Sequence, residues 1–321
     1  MERKFIVVGS GQFNYDVIKV REYPHGFVPG KKNAHVDRLH TEEVGGTCGN
    51  VMCMMQHLGW DARPQVKLSS GVDGQKLAAS LRQFGCDDRY ISLVEGGGFS
   101  GWECTHRRNK DTGEHELGYH GYGPDGSRFR KITELRAKDE VPVLLARMEG
   151  ETPDVYFFDH NEAGPRAIAA ALRERGSLVY YECENCKDES KFLKCVDVAD
   201  IVKFSEENVP DVEFCGRYPG KLFIQTQGGK GMMFRMPHGS EWVHVAPVAV
   251  ENVVDWEGCG DTATAVFLDE MGKIGLPGVE ELTAAQVRNA LEKASEKASL
   301  CTQYYGSKGW VHAEDGALAG G

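Results

Sequence analysis

Four consecutive residues, Gly258-Cys259-Gly260-Asp261, stand directly before the apolar series Ala263, Val266, Phe267 and Met271. Two glycines around one small residue make a first helical turn stripped of bulk. The first N–H groups of a helix have no partner inside it. Together with the helix dipole they form a binding place for anions. Glycine lets a phosphate come close to the backbone, and an acid in the same turn lies where an attacking hydroxyl must lose its proton. Phosphoryl transfer uses both features, because there the protein mainly positions groups and stabilises charge. In that chemistry Asp261 accepts the hydroxyl proton, and the N–H groups of Gly258, Cys259, Gly260 and Asp261 hold the developing charge. The pattern is not a Walker A loop, which needs a Lys-Ser/Thr pair after its last glycine. Taken alone, it also fits an ordinary glycine-rich helix entry with a dipole-favoured acid.

Such a turn needs a frame. "KFIVVGS", Lys4 to Ser10, is a continuous apolar run of the kind buried on both faces in a parallel sheet. "NYDVIKVREYP" alternates as a half-exposed strand, and "HVDRLHTEEV" reads as a further exposed one. "GGTCGNVMCMMQHLGW" opens on glycines and becomes a helix through Val51, Met54, Met55 and Leu58, stopped by Gly59. In "GVDGQKLAASLRQFGC", after the strand-like "DARPQVKLSS", Asp73 is the expected helix N-cap and Gly85 the stop. "WECTHRRNKDTGEHELGYHGY" is a hairpin of two polar arms around Asp111-Thr112-Gly113, placed outside the main core. From Pro153 strands and helices alternate, "KGMMFRM" and "EWVHVA" add antiparallel strands, and two helices follow, Gly258 to Gly272 and about Thr283 to Tyr305. This alternation predicts an α/β fold, a doubly wound, mostly parallel sheet flanked by helices. Residues 1–11, 45–99 and 122–313 form the large domain in this reading. Residues 12–44 and 100–121 form a small β-sheet lid over the carboxyl edge of the strands, where ligands of open α/β sheets sit, and 314–321 form a disordered tail.

The 321 residues suffice for one large domain with a small appendage. A net charge of −11 offers no basic footprint, so nucleic acid is not an expected partner. No apolar run has the length of a membrane span. "MERKFIVVGS" lacks a long apolar segment and cleavage site, so the expected location is cytoplasmic. The ten cysteines are read as reduced thiols. Cys183 and Cys186 form the one C-x-x-C, and a zinc site with Cys195 and a distant His, or a redox pair, ranks below ordinary thiols.

"DWEGCGDTATAVF" resembles the D-T-x-G-A-G-D signature of the ribokinase-like (PfkB) carbohydrate kinases at Asp255, Gly258, Gly260 and Asp261, with Trp256 and Cys259 replacing the usual Thr and Ala. The likeness runs over about residues 5–309. "VVGSGQFNYDVI" is similar to the opening strand of that family, whose Asp binds sugar hydroxyls. Asp16 takes that place, with Asn14 nearby. "GGTCGNVMCMMQHLGWD" resembles the first signature, with Gly45, Gly46 and Asn50 implied as substrate ligands. "TQGGKG" resembles the T-x-G-x-x-G turn beside the nucleotide, which implies Thr226, Gly228 and Gly231. The helix of "ASEKASLCTQYYGSKG" stands where adenine packs, which implies Ser295. Within the family, "FFDHNEA", "VYYECEN" and "VKFSEEN" resemble the ketohexokinase branch. Ser205 and Asn208 stand where ribokinases carry N-x-x-E, so the magnesium-associated acid shifts to Glu206 or Glu207. Glu182 and Glu184 also lie near the expected phosphates. His115 falls where a lid Arg of ketohexokinase reaches the phosphates, and Lys230 reads as a turn lysine.

The resemblance implies ATP-dependent phosphorylation of a hydroxyl of a small sugar or sugar acid. ATP and Mg2+ are the expected cofactors, K+ near Asp255 is optional, and a homodimer through the β lid is the expected assembly. The alternatives are a nucleoside kinase of the same superfamily, stacking its base on Phe13, Tyr15 or Trp102, and a non-catalytic sugar- or nucleotide-binding homologue. A nicotinamide site after the first strand needs G-x-G-x-x-G, and Asn14 stands at the third glycine.

Overall fold

Strand β1, Ile6–Ser10, is buried along its whole length, as its unbroken apolar run requires. The computed structural model describes residues 3–28, 31–95, 103–109, 115–120, 135–183 and 186–316. After β1 the chain leaves the main sheet for β2, Asn14–Glu22, and β3, Val36–Gly45, and returns through helix α1, Thr47–His57. Then follow β4 (Asp61–Ser69), α2 (Val72–Gln83), β5 (Ile91–Val94), β6 (Glu103–Asn109), β7 (His115–His120) and α3 (Glu140–Arg147). Regular alternation begins at β8 (Val155–Phe158), α4 (Ala163–Glu174), β9 (Leu178–Cys183), α5 (Glu189–Val198), β10 (Ile201–Ser205) and β11 (Leu222–Thr226). The remainder is β12 (Met232–Arg235), β13 (Val243–Val245), α6 (Cys259–Lys273), α7 (Ala284–Cys301) and α8 (Gly309–Glu314).

Among the described residues nine strands form one sheet in the order β13-β12-β11-β10-β9-β8-β1-β4-β5. The strands from β11 through β5 pair in parallel, and β12 and β13 add antiparallel. The order of connection reverses between β1 and β8, which opens a crevice beyond their carboxyl ends. Side chains alternate between the two faces. Val7, Phe157, Tyr180, Ile201 and Ile224 pack on one face with α1, α6 and α7. Val8, Tyr156, Phe158, Tyr181 and Val202 pack on the other with α3, α4 and α5. A second sheet has the order β3-β2-β6-β7, with β2 antiparallel to β3 and parallel to β6. The polar arms at β6 and β7 thus pair antiparallel outside the main sheet. Their turn, 110–114, lies outside the described residues, as do Trp102 and Glu184.

Two details depart from the sequence reading. Helix α2 is capped by Gly71, and Asp73 lies inside it. The chain turns early because Gly71 N donates to Ser69 Oγ at 3.0 Å and Gly74 presses on Ser69, where a Cβ would stand 2.0 Å from its carbonyl oxygen. Helix α3, held by Val141 and Leu144, is not anticipated at all, since Pro142 and its short length blur the pattern. At the chain's end, Glu314 closes α8 and pairs with His57 at 2.9 Å, and 317–321 lie outside the described residues.

Candidate active site

Two helices start at the carboxyl edge of the sheet on the same face, and their first turns are treated differently. At α1, Cys48 N donates to Asp159 Oδ2 at 2.8 Å and Gly49 N to the carbonyl of Gln12 at 3.1 Å. Asp159, just past β8, thereby caps α1 from across the crevice and also holds Gln12 N at 2.9 Å. At α6 the N-cap is Gly258, in the left-handed region at φ 75°. Thr262 N returns to Gly258 O at 2.8 Å, and Cys259 N makes a long bond to Trp256 O at 3.4 Å. The N–H groups of Gly260 and Asp261 take no backbone acceptor among the described residues. Gly260 is exposed, whereas Asp261 is buried. The first turn of α6 therefore keeps open donors beside a carboxylate.

That carboxylate is oriented from α1. Asn50 Nδ2 donates to Asp261 Oδ2 at 2.7 Å, while Asn50 Oδ1 accepts from Ser307 Oγ at 2.8 Å and Lys308 Nζ at 2.6 Å. Burial pushes the Asp261 carboxyl up to about 7, with Glu182 adding to the rise, against the Asn50 hydrogen bond, Lys203 and Lys308. A carboxyl near 7 suits a general base at neutral pH.

Beneath the turn, Glu182 and Lys203 are register partners on β9 and β10. Strand parity puts Lys203 on the Ile201 face, the face that carries α6. Lys203 Nζ binds Glu182, Gly260 O at 2.7 Å and Thr264 Oγ1 at 2.9 Å. Thr264 Oγ1 in turn donates to Glu182 Oε2 at 2.6 Å. The α6 entry is thus pinned to the sheet. Glu182, considered above as an acid beside the phosphates, is committed to this buried cluster instead.

Asp255 accepts the N–H of Glu257 and that of Gly306, each at 3.0 Å, and so joins the loop before α6 to the turn before α8. Around the mouth of β1 the other expected ligands gather. Asn14 pairs with Gly45, and Asp16 with Glu43, across β2 and β3. A Cβ on Gly45 would stand 1.7 Å from Asp16 Oδ2, and one on Gly46 (φ 78°) would stand 2.7 Å from Gln12 O. These two glycines leave the room that Asp16 and the β1–β2 turn occupy. Thr226, Gly228 and Gly231 form a separate turn at the end of β11, tied to the end of the neighbouring β10 by Glu206 N to Thr226 O at 2.9 Å. Ser205 stands beside Thr226 in register. Glu206 pairs with Lys230 at 2.8 Å, and Glu207 is exposed. Ser295 is buried in α7. No group of three His, Cys, Asp or Glu side chains among the described residues could hold a metal ion by itself. The sequence reading does not single out Lys203 or Lys308. The only signal for Lys203 is one charge inside an apolar strand. For Lys308, set in "GSKGW", there is none.

No protein-family profile matches the chain, and no curated protein sequence is similar to it. The similarity is to solved structures. The fold is ribokinase-like. Ribokinase from Giardia lamblia aligns with a TM-score of 0.72 and 16% identity over 99% of each chain. Arabidopsis thaliana ribokinase complexed with ribose and ATP aligns at 0.65 and 18% over 95% of each. The Burkholderia thailandensis nucleoside kinase complexed with inosine aligns at 0.64 and 16%, over 94% of this chain and 92% of that one. Among the described residues no helix is long and apolar enough to cross a membrane.

Proposed function

We propose that the chain is an ATP-dependent kinase that phosphorylates a hydroxyl of a small sugar or sugar acid. The observation that carries this reading is the α6 entry: open N–H groups at Gly260 and Asp261 beside a carboxylate held by Asn50. The acceptor alcohol attacks the terminal phosphorus of ATP while its proton passes to Asp261. The open N–H groups hold charge on the transferring oxygens, the bond to the bridging oxygen breaks, and ADP leaves. Asp16, Asn14, Gly45 and Gly46 line the acceptor bed beside β1. The turn of Thr226, Gly228 and Gly231, with Ser295, is the proposed nucleotide bed.

The described residues do not form a protein-built magnesium site: no three ligating side chains converge among them, and Glu182 is held by Lys203 and Thr264. In this reading magnesium would arrive on the phosphates with its own waters. Asp255 already accepts two backbone N–H groups, so dependence on K+ is a separate arm of the assay. The finer reading within the fold is the ketohexokinase branch, from the segments "VYYECEN" and "VKFSEEN". A homodimer would use the second sheet, where Val36 and Leu39 of β3 are exposed.

A nucleoside acceptor is less favoured. Phe13 is buried in the core against α1, and the Tyr15 ring carries Lys76 Nζ at 5.7 Å, so neither is a free stacking platform. The test is ADP release from ATP and magnesium over ketoses, aldoses, sugar acids and nucleosides, with Asp261→Asn as control. Turnover on sugars that the variant loses supports the reading. Turnover on nucleosides alone replaces the acceptor, and tight ATP and sugar binding without turnover on any acceptor replaces the kinase by a binding protein.

A further inference from the structure

The turn of Gly306, Ser307 and Lys308 lies outside the sequence signature, yet it reaches Asp261 through a single side chain. The two ends of the Asn50 amide are nearly equal in size, so sterics alone would let it turn over. Turned over, its oxygen would face the Asp261 carboxylate and its NH2 would face an ammonium group. Ser307 cannot decide between the two orientations, because a hydroxyl donates or accepts. Lys308 can, because an ammonium only donates. Its Nζ is 2.6 Å from Asn50 Oδ1, and the residue is fully buried. Glu43 Oε1 lies 3.3 Å from the same Nζ, and Glu43 Oε2 pairs with His312 Nε2 at 2.7 Å. The line His312–Glu43–Lys308–Asn50–Asp261 thus crosses from α8 through β3 and α1 to α6.

We propose that Lys308 is a positioning residue for Asp261: anchored by Glu43, it fixes the Asn50 amide in the one orientation that gives an N–H to Asp261 Oδ2 and leaves Oδ1 for the proton of the acceptor alcohol. The catalytic consequence rests on the kinase reading above. The amide orientation is a property of the fold and is testable without turnover. Burial acts to lower the Lys308 ammonium, but Glu43, with Cys53 and Asp16, outweighs it and holds the group charged. Burial acts to raise Glu43, and Lys308 and His312 outweigh that in turn. The charged or titratable groups facing Asp261 are Glu182 on β9, Lys203 on β10, Lys308 itself, and the thiols Cys48, Cys259 and Cys301.

The test follows the Asp261 carboxyl carbon by NMR in protein carrying 13C-labelled aspartate, its signal identified by loss in Asp261→Asn. Removing the ammonium in Lys308→Met moves the Asp261 titration to higher pH, by about one unit. Glu43→Gln removes the opposing charge and moves it to lower pH. Mere loosening admits water, which relieves burial and lowers the value in both variants, so it cannot mimic opposite shifts. Because Lys308→Met strands Glu43 as a buried charge, the neutral pair Lys308→Met with Glu43→Gln supplies the second arm. There the two charge effects offset each other, but the freed amide no longer gives a steady N–H to Asp261, so the titration stays above wild type, and kcat stays at least about tenfold down with KM for ATP unchanged. An unmoved titration in Lys308→Met, or wild-type kcat in the double variant, overturns the proposal. A wild-type protein that phosphorylates nothing removes the kinase reading, and the titration arm still judges the tie between Lys308 and Asp261.

Discussion

Gly258 lies against Ser307 so closely that a Cβ on the glycine would stand 2.1 Å from the serine Cβ and 2.5 Å from its Cα. The turn before α8 therefore braces the helix entry, while the N–H groups of Gly260 and Asp261 take no backbone acceptor among the described residues. A side chain at Gly258 meets two penalties: this collision and a left-handed φ of 75°, the latter worth about 1–2 kcal/mol. Gly258→Ala is expected to lower the melting temperature and to cut kcat by about a hundredfold, the scale of losing one oxyanion donor. Gly260→Ala is the contrast. Its Cβ would meet only Lys203 Nζ at 3.6 Å and Glu182 Oε1 at 3.9 Å, ordinary contacts. Melting should not fall, and because Gly260 is the exposed residue of this turn, the added methyl narrows the space proposed for the phosphate, so KM for ATP should rise. Equal melting losses in both variants would mean that neither glycine leaves room for a ligand.

Lys203 tests how the proposed anion-binding turn is held. Its ammonium joins Glu182, Gly260 O and Thr264 in a buried cluster. Lys203→Met strands the Glu182 charge, and breaking a buried pair in this way costs about 3–5 kcal/mol. Lys203→Met with Glu182→Gln should recover most of that in urea unfolding. Its kcat should remain low, because Gly260 O has still lost its anchor. Recovery of both stability and kcat in the double variant would show that Lys203 serves Glu182 and not the turn.

Much of this architecture is legible in the residue pattern. Runs such as Ile6–Ser10 and Val155–Phe158 can only be strands buried on both faces, and the parallel order follows from their alternation with helices. The α6 entry is legible because glycines before an apolar helix are locally anomalous. The supports are not. Lys203, Lys308, Glu43 and Asp159 act on partners 21 to 269 positions away, and each is an ordinary charged residue in its own neighbourhood. Only strand parity and helix packing turn them toward the site. Asn50 shows the same limit. The sequence marks it as a polar residue at a helix start, but the structure spends its carbonyl on Ser307 and Lys308 and one N–H on Asp261.

At the proposed acceptor bed, Gly45 and Asp16 make a paired prediction. The carboxyl of Asp16 occupies the space where a Cβ of Gly45 would be, 1.7 Å from Oδ2. Asp16→Asn removes an acceptor for sugar hydroxyls and should raise KM for the sugar about tenfold or more, the scale of a lost charged hydrogen bond. Gly45→Ala should do the same by displacing an intact Asp16, with KM for ATP unchanged in both. If Gly45→Ala raises KM for ATP instead, the bed beside β1 belongs to the nucleotide.

Asp261 gives the pH prediction, with opposite signs for activity and stability. Its carboxyl is pushed from an ordinary 3.8 up to about 7 in the fold, burial first and Glu182 second. The base form is the carboxylate, so kcat should climb with pH and reach half its plateau near 7. Stability runs the other way. Between pH 4 and 7 the native state holds a proton that the unfolded chain has released. The linkage relation then makes stability fall as pH rises through that window, by roughly 4 kcal/mol in all. Asp261→Asn carries no such proton, so its unfolding free energy should stay flatter there. Above pH 7 it should exceed the wild type, although its kcat is lower by about a hundredfold or more. Urea midpoints of both proteins at pH 5 and pH 8, with a kcat profile between them, decide the matter. Parallel stabilities together with a pH-independent kcat would mean that Asp261 is ionised throughout and that burial does not raise it, whereas a wild-type kcat in Asp261→Asn would remove it as the group that takes the proton.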